Sequence, residues 1–381
     1  MITHPEELAE VINLLRQDGL VALDTEFVWM KTYYPELALV QLASRKGETW
    51  LVDIAEDYKN IMGSQCGDRA SSAEACSRVP QLSRLLGSLL SDTTTTKILH
   101  DSQQDLQHLT RYTGTLPKNI FDTRLAAGFC GFPSILSLQQ LLRETLGIEL
   151  PKTETRTDWC KRPLSEAQQE YARDDVRHLA DVKAFLDAKA QELGTKAWMD
   201  DEMCSLDDET LYLDPPPENA WLRVKGYGRF TPRQLAILRE LAVVREKIAI
   251  WKNRPRRWIM EDDALLQTAR EATMKSVHPV HKAEPVHGTR RNLKNPEYQE
   301  AIRRGLECPS EQCPKNPSTR LNERQGRIVD DMMAKLKDQA AKRHLDPVLV
   351  ASRAEIAEWV ADPDAPVHPL NNGWRHEIRI L

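Results

Sequence analysis

Apolar and polar positions in the first half of the chain fall into short runs broken by turn residues. Leu20, Val21, Ala22 and Leu23 stand together without a polar interruption, the pattern of a strand buried on both faces. An amphipathic stretch at residues 5–17 predicts a helix ahead of it. Residues 37–43 and 48–54 predict two more strands, joined as a hairpin by a turn around Lys46 and Gly47. Helical spacing returns at 81–90, 102–112 and 137–146, the last stopped by Gly147, with short strands at 97–100 and 119–121. Asp122 and Thr123 form an N-cap pair where the second of these strands hands over to a helix. Ser165 and Gln168 fit a capping box for a helix running toward Gly194. Strands that come first as a hairpin and then alternate with helices imply an α/β fold, a mixed sheet covered by helices. Residues 56–80, rich in Gly, Ser, Asp and Ala, read as a long surface loop.

Later the pattern turns all-helical. Thr231, Pro232 and Gln234 start a helix whose apolar stripe runs through Leu235, Leu238, Leu241, Ala242, Ile248 and Trp251. Helical patterns recur at 261–272 and 296–305, and a Pro-rich break at 308–317 precedes a closing helical block at 321–381. Between Met199 and Glu218 there are eight acids and no Lys or Arg, ending in Pro215, Pro216 and Pro217. The expected division is an α/β domain at 1–195, a linker at 196–222, a helical domain at 223–305, and a second, more divergent helical domain at 306–381.

A length of 381 residues exceeds what one core serves, and no run of about 18 apolar residues exists to span a bilayer. The N-terminus carries acids within an amphipathic pattern instead of a basic and then apolar leader, so no secretory signal is expected. Seven cysteines, odd in number and scattered, make no disulfide framework, which points to a reducing cytoplasm. A monomer is expected. The net charge of −5 is uninformative, but its distribution is not: Arg223 to Arg257 holds eleven Lys and Arg against Glu240 and Glu246. A phosphate-bearing partner would account for this, with Arg229, Arg233, Arg254, Arg256 and Arg257 as candidate nucleic-acid contacts; a solvated helix face is the alternative. Tyr227, Phe230, Trp251 and Trp258 interleave with these cations and offer stacking, or else fill the helical core, Trp251 above all.

The candidate chemistry begins at Asp24 and Glu26. Residues two apart on a strand point the same way, and a rise of roughly 3.3 Å per residue sets them about 6–7 Å apart, close enough to share a divalent cation. Two charges at a buried strand tip are costly unless something positive neutralises them; a solvated strand end followed by a loop is the alternative. Asp101 ends a strand and Asp105 stands one turn into the next helix; Tyr171 and Asp175, four apart, share one face of a later helix. Cys308 and Cys313, with His278, His281 and His287 upstream, lack the second cysteine pair of a zinc site. Gly226 and Gly228 lack the third glycine of a dinucleotide fingerprint, so no nucleotide cofactor is expected.

These motifs carry a resemblance. ALDTEF at 22–27, KILHDSQQDL at 97–106 and EYARDDV at 170–176, with TYYPELALVQL at 32–42 and TRTDW at 155–159, resemble the ribonuclease D family of 3′–5′ exonucleases. The stretch from Trp221 resembles the small helical domain shared by certain helicases and ribonuclease D, and the closing GWRHEI suits a divergent second copy. The resemblance implies a ribonuclease H-like mixed sheet and a site of four acids and one tyrosine: Asp24, Glu26, Asp105, Asp175 and Tyr171. It implies two Mg²⁺ or Mn²⁺ ions, with Asp24, Glu26 and Asp175 holding one, Asp24 bridging to the other, Asp105 acting there through water, and Tyr171 orienting the attacking water. The implied reaction trims RNA with a free 3′ end, transfer RNA precursors above all, to nucleoside 5′-monophosphates. A DNA exonuclease and an inactive nucleic-acid-binding scaffold are the alternatives. Departures are the long 56–80 segment and Asp101, which stands where a small residue is expected and could repel RNA or assist a metal.

Overall fold

The structure, a computed structural model, describes residues 1–29, 31–65, 81–151, 157–277, 295–316, 321–363 and 368–378. The chain divides into two compact units. One comprises Met1–Val28, Glu36–Leu213 and Leu321–Leu381, the other Trp29–Pro35 and Asp214–Arg320.

The first unit is built on a five-stranded sheet in the order β3-β2-β1-β4-β5. Its strands are β1 (Leu20–Val28), β2 (Glu36–Ala43), β3 (Thr49–Asp53), β4 (Thr96–Leu99) and β5 (Ile120–Asp122). β1 pairs antiparallel with β2, as β2 does with β3, while β4 lies parallel to both β1 and β5. The expected mixed sheet is therefore present, with β1 in the middle. Helices flank it: α1 (Pro5–Asp18), α2 (Ala55–Gln65), α3 (Gln81–Leu90), α4 (Gln103–Thr113), α5 (Thr123–Gly128), α6 (Leu138–Leu146), α7 (Glu166–Arg177), α8 (Leu179–Leu193) and α9 (Lys196–Ser205). The capping boxes at Ser165 and Ser137 close as their sequences dictate, and Gly147 takes the left-handed conformation that ends α6.

Three expectations fail here. Residues 55–65 form a helix where a loop was predicted; the rest of that expected loop, 66–80, lies outside the described residues. The helix expected from Ser165 to Gly194 is two helices, interrupted at His178. The expected linker at 196–222 begins as α9, whose Met199 and Met203 belong to the core of the first unit while its acids Asp200 and Asp201 are solvated. Acidic composition marks an exposed face, which a docked helix also possesses.

The second unit packs α10 (Pro232–Trp251) against α11 (Arg256–Ile259), α12 (Asp262–Val277), α13 (Pro296–Glu307) and a 3₁₀ segment, Pro217–Arg223. Thr231 and Gln234 form the capping box that opens α10. Gly305 permits α13 to approach the backbone of Ile237 so closely that a Cβ would collide with it. Within this unit Tyr33 donates its hydroxyl to Glu246, whose carboxylate also takes two bonds from Arg256, at 2.7 and 2.8 Å.

The closing block, α14 (Glu323–Lys342), α15 (Pro347–Val350), α16 (Arg353–Ala361) and α17 (Gly373–Glu377), does not make the separate domain expected at 306–381. Val329, Met332, Leu336, Leu349, Ile356 and Trp374 join the core around the sheet. Asp346 caps α15 through one carboxylate oxygen and accepts the Ser134 amide and hydroxyl through the other, at 2.6 and 2.7 Å. Among the described residues no helix is long and apolar enough to cross a membrane.

Candidate active site

Parallel pairing of β1 and β4 brings their carboxyl ends to the same edge of the sheet, and α7 packs across β1, β2 and β3. These two facts gather residues that the sequence scatters. One carboxylate oxygen from each of Asp24, Glu26 and Asp175 lies within 4.8 Å of the others. Asp24 and Glu26 share a face because β1 stays regular up to Glu26; the irregularity in its pairing with β2 falls just after it, between Glu26 and Phe27. Asp175 descends from α7, and the Tyr171 hydroxyl one turn earlier donates to it.

Asp105 is buried in the first turn of α4 and stands outside that group of three. The Thr25 hydroxyl donates to its Oδ1. Thr25 lies between the two acids of β1 and so projects from the opposite face of the strand. Sequence reasoning passed over it; the available signal was a polar residue alternating out of phase with both acids in an otherwise buried strand.

Burial raises the Asp24 carboxyl well above the carboxylate range, and repulsion from Asp105, Asp175 and Glu26 adds to it. Burial, then Asp175 and Asp105, push Glu26 up to about 9. Asp105 and Asp175 are raised by burial as well, and the hydrogen bonds from Thr25 and Tyr171 pull each part of the way back. The Tyr171 phenol is raised by burial and by the three neighbouring acids, so it stays protonated and serves as a donor. Acids held this close ionise together only when cations offset their mutual repulsion. An all-carboxylate set suits hard divalent ions, and the cluster fits the use of such a metal.

Neighbouring polar groups are committed elsewhere. Asp101, at φ 61°, turns its carboxylate to Arg124 at 2.9 Å, so its extra charge is paired. Asp122 caps α5, accepting the amides of Arg124 and Leu125, and also takes that of Ser102 at 2.7 Å. His100 is held between the Thr123 hydroxyl and the Leu136 carbonyl, at 2.9 and 3.0 Å. Beside Tyr171 and Asp175 opens a cavity of about 210 Å³, lined also by Gln139, Leu150 and Pro151.

In the second unit the five candidate arginines divide. Arg229, Arg254 and Arg257 are exposed. Arg233 instead donates to the carbonyls of Gly305, Leu306 and Cys308 at the end of α13, and Arg256 is bound to Glu246 and Tyr33. Phe230 is buried, but Trp251, expected in the core, is 68% exposed and Trp258 60%. Lys252 lies 6.0 Å from the Trp251 ring and Arg254 5.6 Å from that of Trp258. Cys308 and Cys313 pack with Ala236; His278, His281 and His287 lie outside the described residues, as do residues 152–156 of the stretch containing TRTDW.

A family profile described as 3′–5′ exonuclease matches residues 1–191. The ribonuclease D of Bartonella henselae is 30% identical over 384 residues, 99% of this chain and 87% of that protein. The chain belongs to the ribonuclease D family. Its enzymatic class follows: a 3′–5′ exoribonuclease. The ribonuclease D of Desulfotalea psychrophila is 39% identical over 269 residues, 71% of this chain and 66% of that protein. The crystal structure of Escherichia coli RNase D, described as an exoribonuclease involved in structured RNA processing, aligns with a TM-score of 0.79 at 26% identity, covering 100% of this chain and 96% of that one. The catalytic core of RRP6 from Trypanosoma brucei shares the fold, with a TM-score of 0.53 at 18% identity over 80% of this chain and 79% of that one.

Proposed function

We propose that this ribonuclease D family member removes nucleotides one at a time from free 3′ ends of structured RNA, transfer RNA precursors among them, by metal-dependent hydrolysis at Asp24, Glu26, Asp105, Asp175 and Tyr171, as a monomer in the cytoplasm. The observation carrying the reading is the convergence of Asp24, Glu26 and Asp175 to within 4.8 Å. Those three would hold one divalent cation, Mg²⁺ or Mn²⁺, and Asp24 together with Asp105 would serve a second. When bound, such a pair stabilises the attacking and leaving oxygens of an in-line phosphoryl displacement. The side chains do the remaining work. Thr25 fixes the rotamer of Asp105, and Tyr171, kept protonated, orients the attacking water and is no base. The cavity beside Tyr171 and Asp175 receives the terminal nucleotide. Water's oxygen gives up a proton to solvent and bonds to phosphorus as the bond to the 3′ oxygen breaks and that oxygen takes up a proton from solvent, releasing a nucleoside 5′-monophosphate.

The test compares one oligoribonucleotide labelled at either end, incubated with Mg²⁺ or with chelator. Immediate release of labelled mononucleotide from the 3′ label, a descending ladder from the 5′ label, and loss of both with chelator are expected. Mononucleotide released first from the 5′ label, or activity indifferent to chelator, refutes the reading.

The structured substrate is the task of the second unit, where exposed Trp251 and Trp258 stand among Lys252, Arg254 and Arg257. Stacking on an aromatic contributes about 1–3 kcal/mol per base. Replacing both tryptophans by alanine is therefore expected to weaken binding of a folded RNA, read by filter binding or anisotropy, and to leave hydrolysis of a short single strand unchanged. Equal affinity of variant and parent for folded RNA removes these residues from the account.

A further inference from the structure

Gln41 is the polar residue that the site as described leaves unused. It sits in β2 directly across from Asp24, and opposed residues of an antiparallel pair project from the same face. That face also carries Glu26, opposite Leu39, and it is covered by α7, where Leu39 and Leu51 pack with Ala172 and Tyr171. Gln41 is thus set among an acid pair and an apolar layer. It is 0% exposed, and neither its Oε1 nor its Nε2 has a hydrogen-bond partner among the described residues.

A buried amide with no partner is strongly disfavoured, and native proteins satisfy nearly all such groups through protein, water or ions. Leucine or methionine would fill the same space without that penalty. An orphaned amide beside a carboxylate cluster points to a partner that arrives with the occupant of the cluster. The Cβ atoms of opposed residues lie about 4.5–5.5 Å apart, so the amide reaches the Asp24 carboxylate through a single water.

We propose that Gln41 is a positioning residue of the acidic site: its amide donates to an ordered water shared with Asp24, fixing that carboxylate in the orientation that holds the divalent cation. The proposal rests on the metal reading above. It assigns Gln41 no contact with substrate and no proton transfer. Supporting groups of this kind typically change metal affinity or activity by about 10–100-fold.

The test is Gln41→Met, which keeps length and volume and removes the amide. Mn²⁺ binding is measured by calorimetry on full-length parent and variant, and the melting temperature of each is measured in chelator. The expected result is a Mn²⁺ affinity lower by about 10-fold or more, with a metal-free melting temperature equal to or above the parent's, since the variant no longer buries an unsatisfied amide. At saturating metal, kcat falls and KM for a short oligoribonucleotide stays put. Equal Mn²⁺ affinity in variant and parent overturns the proposal. A variant that melts well below the parent in chelator, or does not fold, overturns it equally, because the amide would then have a partner inside the folded chain. A parent that binds no Mn²⁺ is a different result: it removes the metal reading itself.

Discussion

Asp24→Asn is expected to abolish exonucleolysis, by more than about 100-fold in kcat at saturating Mg²⁺, while making the metal-free protein more stable. Both effects share one cause. Asp24 is the carboxylate on which Asp105, Asp175 and Glu26 all act, and burial disfavours its charge further. Losing a mere supporting partner of a metal ligand reduces function about 10–100-fold, so losing a residue proposed as a ligand itself is expected to exceed that range. Without metal, the amide keeps the shape and removes the repulsion. The pH dependence follows from the neighbours. Glu26 in the folded state is pushed up to about 9, far above its value in an unfolded chain. Between those two values the folded protein binds more protons than the unfolded one, so metal-free stability is fully present at the acid end and declines as pH rises. A divalent cation reverses the trend, because it competes with those same protons, and its stabilisation grows toward pH 9. Melting scans from pH 5 to 9, in chelator and in Mn²⁺, read all of this. The parent's curves should diverge with rising pH, and those of Asp24→Asn should remain close together. Superimposable parent curves across that range would show that the cluster is not a cation site.

Much of this site was legible in the chain because its parts obey local rules. Four apolar residues followed by Asp24 and Glu26 specify a buried strand with two acids on one face, and β1 is that strand. Tyr171 and Asp175, four apart in a helix with its own capping box, share a face wherever the helix goes. Asp105 was set apart from Asp101 by motif alone; in the structure Asp101 adopts a left-handed backbone and pairs with Arg124, while Asp105 is buried. What escaped notice is non-local. The Thr25 bond to Asp105 spans 80 positions and depends on parallel pairing of β1 with β4. Trp251 falls on the apolar stripe of α10 by period, yet it is the last residue of the helix and stays largely exposed. Arg233 and Arg256 looked like part of a basic surface because charge counting does not register a helix end or a buried glutamate to satisfy.

The destination of the closing block was the largest such omission, and it carries the second large effect. An amphipathic helix announces a buried face without naming its partner. Truncation after Asp214 would look, from sequence, like removal of dispensable helical domains that leaves the exonuclease intact. The structure predicts that it unfolds the exonuclease. Trp374 is 3% exposed, packs edge-on to Phe129 at 4.9 Å, and donates its indole N–H to Glu202 at 2.8 Å. Arg375 grips the same carboxylate with two bonds, at 2.7 and 2.8 Å, and Leu349 presses against Gly128 with no room left for a Cβ. Phe129 follows directly on α5, and Glu202 is part of α9, so the last helix completes a core formed more than 170 positions earlier. Trp374→Ala removes a large buried ring at about 3–5 kcal/mol and leaves Glu202 one donor short. For a domain of this size that lowers the melting temperature by on the order of 10 °C. Activity on a short single strand should persist below the lowered transition, since the acid that Trp374 touches is Glu202 and not one of the clustered acids Asp24, Glu26 and Asp175, and disappear above it. A truncated or Trp374→Ala protein that melts with the parent would mean that the closing block is an appendage after all.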